Sequence, residues 1–381
     1  MSFYRNEAGK NSKKLVLEKI LPMHIVTVIG ARPQFIKASV LSRRIASHKD
    51  IKESIVHTGQ HYDDALSGTF FRGLGIPKPA HNLEVGSGKH GAQTGAIMSK
   101  LEVLLPGLNP DLVLVYGDTN TTLAAALVAA KAGFELAHVE AGLRSFRRAM
   151  PEEVNRVVTD HLSTILFCSS QASVSQLERE GINKNVHLVG DIMYDAFLFT
   201  GLSEEAQTAT ERYNLKDSSF VLATVHRAEN TDNPERLRSI FGAFAVLATN
   251  VPTVLSLHPR TQKALEANGI GVSPKIRIIP PCSYASMVGL TKAATVIATD
   301  SGGLQKEAYF AGVPCVTLRD ETEWAETLEA GWNRIAPPDN SNRLVETITS
   351  AMAMKGVPKP DTLYGDGDAA GRILQVLRGR P

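Results

Sequence analysis

One pattern recurs along this chain: a short apolar run, then a polar turn that contains glycine or a charged residue, and then a helical stretch. The clearest apolar runs lie at residues 24–29, 54–57, 112–116, 136–139, 220–225, 253–257, 276–279, 293–298 and 313–318. Short runs of this kind are typical of strands buried on both faces of a parallel sheet. Because the runs alternate with helices, the pattern predicts an α/β fold with right-handed crossovers.

The repeated units fall into two sets, separated by a polar span at about residues 202–219 that we predict to be a helix and linker. A chain of 381 residues is also longer than one compact core requires. We therefore predict two doubly wound, Rossmann-like domains, residues 23–195 and 196–365, that face each other across a cleft. Residues 1–22 are polar and basic up to Lys14 and are predicted to be an extension without an assigned role.

The composition excludes several classes of protein. Hydrophobic residues make up 43% of the chain and charged residues 21%, as is typical of a globular protein. The net charge of +2 argues against nucleic acid as a partner, since phosphate backbones bind to a concentrated basic face. No apolar run approaches the length of a membrane span, so no membrane association is predicted. Cys168, Cys282 and Cys315 are far apart and are predicted to be buried free thiols in a reducing compartment, the cytoplasm.

The segment Thr-Asp-Ser-Gly-Gly at residues 299–303 joins a predicted buried strand to a helix that ends at Gly312. Glycines let backbone N–H groups approach a phosphate, and a helix N-terminus adds partial positive charge. Glu307 lies one turn into that helix, within reach of ribose hydroxyls. The segment therefore suits a nucleoside diphosphate, although an isolated Ser-Gly-Gly is more often an ordinary strand-to-helix turn.

Charged residues recur just past the ends of the predicted strands, where an open parallel sheet forms its ligand crevice. They are Arg32, Lys37, Asp118, Glu140, His226, Arg227 and Arg260. Any one of them suits a turn or a helix cap, and Asp118 before Thr119 is a plausible N-cap. As a set, carboxylates in the first half and cations in the second predict a catalytic cleft.

Other spacings leave alternatives open. Glu152 and Arg156, four apart at a helix start marked by Pro151, suit either a site or a surface ion pair. His57 and His61 are also four apart, but no third ligand follows at a convincing spacing, so no metal site is predicted. The chain lacks Gly-x-Ser-x-Gly and Gly-Lys-Ser/Thr motifs, which argues against hydrolases and P-loop proteins.

A series of segments resembles the non-hydrolysing UDP-N-acetylglucosamine 2-epimerase family. They are Gly-Ala-Arg-Pro-Gln-Phe-Ile-Lys at 30–37, Thr-Gly-Gln-His at 58–61, Tyr-Gly-Asp-Thr at 116–119, His-Val-Glu-Ala-Gly-Leu-Arg at 138–144, Pro-Glu-Glu-Val-Asn-Arg at 151–156, His-Arg-Ala-Glu-Asn at 226–230, Leu-His-Pro-Arg at 257–260, Asp-Ser-Gly-Gly-Leu-Gln-Lys-Glu at 300–307 and Tyr-Gly-Asp-Gly at 364–367. The resemblance runs from about residue 23 to the end, in order and with the family's spacing. It implies a glycosyltransferase B type fold, a C-terminal helix at about 366–381 that returns to the first domain, a homodimer and no cofactor.

The resemblance also implies roles for individual residues. Asp118, Glu140 and Glu152 match the family's catalytic carboxylates. Arg156 and His226 match its other essential residues. The positions that match UDP contacts are Arg32, Lys37, Ser301, Gly302, Gly303 and Glu307. The predicted substrate-binding set is completed by Gln60, His61, Arg144, Arg260, Tyr284 and Arg319.

The implied reaction, UDP-N-acetylglucosamine to UDP-N-acetylmannosamine for surface polysaccharide precursors, requires such residues. A C2 proton beside an acetamido group is barely acidic, but it becomes removable once the C1–O bond to UDP breaks. Carboxylates then remove and return the proton, and cations hold the leaving diphosphate. A closed cleft keeps water from the 2-acetamidoglucal intermediate.

Two segments resemble instead the branch that acts on UDP-2,3-diacetamido-2,3-dideoxyglucuronate: Gly-Asp-Ile-Met-Tyr-Asp at 190–195 and Asp-Glu-Thr-Glu-Trp-Ala at 320–325. A uronate needs an extra cation, for which Arg144, Arg147 and Arg148 are candidates, although a solvated basic loop is the more common explanation of such residues. A UDP-sugar glycosyltransferase of the same fold, a hydrolysing epimerase and a catalytically silent UDP-sugar sensor are further alternatives. The three carboxylates disfavour the sensor.

Overall fold

The first of two sheets has seven parallel strands. The computed structural model describes residues 22–60, 76–360 and 363–380. The strands of this sheet are β1 (Met23–Ile29), β2 (Ile51–His57), β3 (His81–Asn82), β4 (Leu112–Tyr116), β5 (Leu136–Ala141), β6 (Ile165–Cys168) and β7 (Val186–Leu188). Their order is β3-β2-β1-β4-β5-β6-β7, so the order reverses between β1 and β4, where ligands bind in open α/β sheets.

The second sheet repeats this plan with six parallel strands. They are β8 (Val221–Val225), β9 (Thr253–Leu257), β10 (Arg277–Ile279), β11 (Val296–Thr299), β12 (Cys315–Thr317) and β13 (Asn333–Ile335). Their order is β10-β9-β8-β11-β12-β13, with the reversal between β8 and β11. The prediction of two doubly wound α/β domains is confirmed.

Helices connect the strands within each set. Those of the first set are α1 (Arg32–Ala46), α2 (His90–Leu108), α3 (Asn120–Ala132), α4 (Pro151–Leu162), α5 (Gln171–Arg179) and α6 (Ile192–Thr200). Then follow α7 (Glu204–Gln207), α8 (Ala209–Arg212), α9 (Ala228–Thr231), α10 (Pro234–Leu247), α11 (Pro259–Ala267), α12 (Tyr284–Ala293), α13 (Gly302–Ala311), α14 (Ala325–Glu329), α15 (Ser341–Met352) and α16 (Ala369–Arg378). None of the helices in the described residues has the length and apolar character that a membrane span requires.

Local sequence explains where the alanine-rich helix α3 begins and ends. The Thr119 side chain caps it by accepting a hydrogen bond from the Thr122 N–H, and Gly133 ends it with φ of 77°. The alanines on one side of this helix pack against the strands, and Ala124, Ala125 and Ala129 are fully buried. Close packing here places the start of the helix directly beside the end of β4.

Some predicted limits differ from the structure. The apolar run at 293–298 was expected to be one strand, but α12 ends at Ala293 and β11 begins only at Val296. Alanine suits the end of a helix as well as a strand, so the apolar run alone does not mark the boundary. The polar span after residue 202, expected to be a helix and linker, contains two short helices, α7 and α8.

The last helix returns to the first sheet. Helix α16 packs against α1 and α6. The Asp195 carboxylate accepts hydrogen bonds from the backbone N–H groups of Ala369 (3.0 Å) and Ala370 (2.8 Å) at the start of α16. Just before α16, the chain runs beside the start of α6, where the N–H of Asp191 donates a hydrogen bond to the Tyr364 carbonyl at 2.9 Å. The limits predicted for the two domains stay predictions.

Candidate active site

Asp118 lies just beyond the carboxyl end of β4. Its carboxylate accepts a hydrogen bond from Arg156 Nη2 at 2.5 Å, and its backbone carbonyl accepts one from Asn155 Nδ2 at 2.8 Å. Both partners are on α4, so this helix sets the position of Asp118. Burial raises the pKa of Asp118, an effect that Arg156 reduces and Glu140 reinforces. Asp118 is therefore suited to exchange a proton, and 31% of its side-chain surface remains accessible.

Glu140 lies in β5 with an unusual backbone. Its φ is +75°, in the left-handed region, at a point where the register with β6 shifts between Val139 and Ala141. Its carboxylate bonds to Lys37 of α1 and to Lys306 Nζ of α13, the latter at 3.3 Å. Burial acts to raise the pKa of Glu140, but these two ammonium groups outweigh it and hold the pKa at about 2. Glu140 is thus ionised across the neutral range.

Gly117 provides the room for this ion pair. Its φ is +62°, and a Cβ at this position would lie 3.2 Å from Lys37 Nζ and 3.3 Å from Glu140 Oε2. A side chain here would be strained by the backbone and would crowd both charged groups. The glycine before Asp118 therefore keeps the space between the two carboxylates open.

The two glutamates at the start of α4 differ in their exposure to solvent. Glu153 is buried and accepts hydrogen bonds from Ser145 N (2.8 Å), Phe146 N (2.8 Å) and Arg156 Nη1 (3.1 Å). Glu152, the predicted catalytic residue, is exposed. Sequence reasoning did not single out Glu153, which holds the loop at 143–150 and orients Arg156. The catalytic role of Glu152 stays a prediction.

The N-terminus of α13 lies across from these carboxylates. Ser301 is its N-cap, but the described structure gives this residue no side-chain capping hydrogen bond. A Cβ on Gly303 would have no described neighbour within 4 Å. The backbone N–H groups of the first turn have no intrahelical partner, and the diphosphate-binding role of the Ser-Gly-Gly segment stays a prediction.

Glu307 is buried one turn into α13. Burial raises the pKa of Glu307 to about 7, and the nearby Tyr284, Lys306 and Arg32 offset this rise only in part. Tyr284 is itself buried at the start of α12. Three residues of the predicted substrate-binding set, Arg32, Tyr284 and Glu307, therefore belong to one neighbourhood.

We expect UDP affinity to depend on the ionisation of Glu307. A ribose that donates hydrogen bonds to the carboxylate favours its charged form, so binding releases a proton and affinity rises as pH increases through about 7. Between pH 6 and pH 8 the Kd of the wild-type protein for UDP should fall by about tenfold more than the Kd of the Glu307→Gln variant does. Titration calorimetry at the two pH values measures both constants. Ionisation of UDP itself contributes equally to both proteins. Parallel pH profiles would contradict the ribose contact.

His226 follows β8 and is oriented by a buried carboxylate. The backbone N–H groups of His226 (3.0 Å) and Arg227 (2.9 Å) donate to Asp300, which is fully buried at the end of β11. Asn230 Nδ2 donates to the same carboxylate at 3.0 Å. Burial lowers the pKa of His226, and although Asp300 opposes this, the nearby His258 reinforces it. His226 is therefore a neutral side chain at neutral pH.

Several predicted substrate contacts are engaged within the protein. Arg144 pairs with Asp160 and Glu180 and its side chain is 2% exposed, an arrangement that favours a structural role. Buried Arg319 pairs with Glu229 and Glu323.

Arg260 and Gln60 also have protein partners. Arg260 pairs with Asp232 at 2.8 Å and remains half-exposed. Gln60 Oε1 accepts hydrogen bonds from the Thr121 N–H (3.1 Å) and hydroxyl (2.8 Å). His61 lies outside the described residues, so the structure does not address its role.

Sequence reasoning missed the buried residues that hold the predicted site residues in position. Lys306, Asp191, Asp300 and Glu153 are buried and bonded to the predicted site residues or to the loops that carry them. The local sequence did not mark Lys306, because its immediate neighbours Gln305 and Glu307 are also polar. Among the described residues, no group of three or more His, Cys, Asp or Glu side chains is arranged to hold a metal ion.

The fold and the site together define a two-domain enzyme of the glycosyltransferase B type, with carboxylates on one side and a helix N-terminus on the other. The model of the family described as UDP-N-acetylglucosamine 2-epimerase matches residues 43–378. The chain belongs to this family and is an isomerase, which confirms the resemblance found in the sequence.

Three comparisons illustrate the relationship. A UDP-N-acetylglucosamine 2-epimerase homolog of Methanococcus maripaludis is 46% identical over 365 residues, covering 93% of this chain and 99% of the relative. The UDP-2,3-diacetamido-2,3-dideoxy-D-glucuronate 2-epimerase of Pseudomonas aeruginosa is 45% identical, with the same coverage of both chains. The crystal structure of the Methanocaldococcus jannaschii UDP-GlcNAc 2-epimerase in complex with UDP-GlcNAc and UDP is similar with a TM-score of 0.82 and 40% identity, covering 93% of this chain and 99% of that one.

Proposed function

We propose that this enzyme is a non-hydrolysing epimerase that interconverts UDP-N-acetylglucosamine and UDP-N-acetylmannosamine. The observation that carries this proposal is the contact between Glu140 and Lys306, at 3.3 Å. Glu140 lies beside Asp118, and Lys306 lies on α13, next to Glu307 and in the helix that begins with the Ser-Gly-Gly turn. Carboxylates that act on a sugar and a helix N-terminus that holds a diphosphate thus meet in one cleft.

The proposed reaction begins with loss of UDP. The C1–O bond breaks and its electron pair leaves with the β-phosphate, which the N-terminus of α13 and the cation Arg32 stabilise. Positive charge at C1 makes the C2 proton removable. A carboxylate takes that proton and leaves 2-acetamidoglucal, with UDP still held in the cleft.

Return of the proton to the opposite face of C2 inverts the configuration at that carbon. A proton is delivered to C2 from the opposite side, and UDP re-adds to C1. Asp118 suits one of these transfers because its pKa is raised. Exposed Glu152 is proposed for the other face. Glu140, ionised between two lysines, balances the positive charge that develops at C1.

The substrate of the Pseudomonas aeruginosa relative defines a second candidate. At 45% identity, that relative supports the same chemistry on UDP-2,3-diacetamido-2,3-dideoxyglucuronate. Arg148 is exposed in the loop at 143–150, while Arg147 pairs with Glu321 from the second half of the chain. Either arginine is a candidate partner for a uronate carboxylate. No specific observation favours glycosyl transfer or hydrolysis.

We further propose a homodimer that acts in the cytoplasm and supplies precursors of surface polysaccharide. The resemblance to the family supports the dimer and the pathway. Cys168 and Cys315 are buried free thiols, and Cys282 is a half-buried one, which supports a reducing compartment. The mass in sedimentation equilibrium tests the dimer.

Incubation with UDP-N-acetylglucosamine in deuterated water tests the activity. We expect deuterium at C2 of both sugars and a UDP-N-acetylmannosamine product, followed by proton NMR. Free UDP as the main product would show hydrolysis. Turnover of the diacetamido uronate alone would select the second candidate.

A further inference from the structure

Lys306 is a buried cation that joins the two halves of the enzyme. Its side chain is 5% exposed, and Nζ lies 2.5 Å from Asp191 Oδ2 and 3.3 Å from Glu140 Oε1. The same nitrogen lies 4.3 Å from the ring centroid of Trp324 and 5.7 Å from that of Tyr364. Lys306 comes from α13, whereas both carboxylates belong to the first set of units.

The partners of Lys306 are themselves fixed. Asp191 caps α6 by accepting a hydrogen bond from the Met193 N–H at 2.8 Å. Its own N–H donates to the Tyr364 carbonyl, where two segments of the chain run side by side. Lys306 is therefore anchored to the segment where the chain passes between the two sheets.

Glu140 depends on neighbours for its position. A left-handed, non-glycine residue persists only where its surroundings determine it, and such residues cluster at functional sites. The Glu140 carboxylate has a lysine on each oxygen: Lys37 on Oε2 and Lys306 on Oε1. Lys37 comes from the same set of units as Glu140, so among the described residues it is Lys306 that relates this carboxylate to the helix of the diphosphate site.

We propose that Lys306 is a positioning residue that holds the Glu140 carboxylate from the second domain, in register with UDP bound at the start of α13. Lys306 contacts neither the sugar nor the diphosphate in this account. It acts through Glu140, so its loss affects the step in which charge develops at C1 more than it affects substrate binding. The inference rests on the proposed function, since it concerns the same site.

The test uses the paired variant Lys306→Met with Asp191→Asn. Removing one positive and one negative charge leaves Glu140 paired with Lys37, so no buried carboxylate is left without a cation. We expect kcat for epimerisation to fall by about 100-fold, while KM and the Kd for UDP change less than threefold. A crystal structure of the variant with UDP should show the Glu140 carboxylate displaced, a readout that does not depend on turnover.

Two single variants serve as controls. Asp191→Asn alone retains the contact between Lys306 and Glu140, and we expect a much smaller fall in kcat. Lys359→Met removes a lysine that lies 4.9 Å from the Tyr309 ring centroid, outside the proposed site, and should leave kcat unchanged.

The outcomes separate this inference from the proposed function. If the wild-type enzyme turns over and the paired variant keeps its kcat, with Glu140 unmoved in the crystal, the inference is wrong and the function stands. Equal losses of kcat and UDP affinity would assign Lys306 a purely structural role and also overturn the inference. A wild type that exchanges no C2 proton with either sugar would overturn the proposed function, while the position of Glu140 in the UDP-bound variant still decides the inference.

Discussion

Replacing Asp118 by asparagine should abolish epimerisation while leaving UDP binding intact. Asparagine matches the shape of aspartate and can still bond to Arg156, but it cannot accept and return a proton. We expect kcat to fall by about 1,000-fold or more, since loss of a general acid or base costs about 10² to 10⁴. NMR measures deuterium exchange at C2, and calorimetry measures the Kd for UDP.

The control for Asp118→Asn is Asp50→Asn. Asp50 is half-exposed and pairs with Arg378, and its substitution should change neither measurement. Retained C2 exchange in Asp118→Asn would remove Asp118 from proton transfer. Loss of UDP binding would instead indicate that the two halves of the site are coupled more tightly than proposed.

Replacing Asp300 by asparagine should reduce both stability and activity. The buried carboxylate accepts hydrogen bonds from two backbone N–H groups and from Asn230, and an amide would turn a donor toward one of them. A buried donor left unsatisfied costs about 1–3 kcal/mol, so we expect the free energy of unfolding to fall by about 3 kcal/mol. His226 and Arg227 would lose their anchor, and kcat should fall with them.

Urea denaturation and steady-state kinetics check this expectation. The matched control is Asp232→Asn in the same sheet domain, where the carboxylate is 65% exposed and its pair with Arg260 is screened by solvent. Its stability should stay within about 1 kcal/mol of the wild type. If the Asp300→Asn variant unfolds at the same urea concentration as the wild type, the loop at His226 does not depend on this carboxylate.

The fold was largely predictable because its signals are local. Apolar runs followed by glycine-containing turns marked the buried strands, and the alanine-rich segment marked α3 with its cap at Thr119. Boundaries were less predictable where one residue type serves two structures, as with the alanines between α12 and β11.

The site was predictable only in part. Asp118 and Glu140 lie at the carboxyl ends of β4 and β5 in the first sheet, and His226 follows β8 in the second, so the rule for parallel sheets placed each at the ligand-binding edge of its own sheet. The pairing of Lys306 with Glu140 joins residues 166 positions apart, and no periodicity in the sequence encodes that distance. Arg144, the last residue of the segment at 138–144, was expected at the substrate, whereas its side chain lies buried against Asp160 and Glu180; its binding role stays a prediction.

The sequence by itself determined the two α/β domains, the helix N-terminus at the Ser-Gly-Gly turn and the family to which the chain belongs, because each depends on neighbouring residues along the chain. Only the tertiary structure decided which charged groups are buried together and which face solvent. Ionisation follows from that burial and from the nearest charges, so the same residue type gives Glu140 a pKa of about 2 and Glu307 a pKa of about 7.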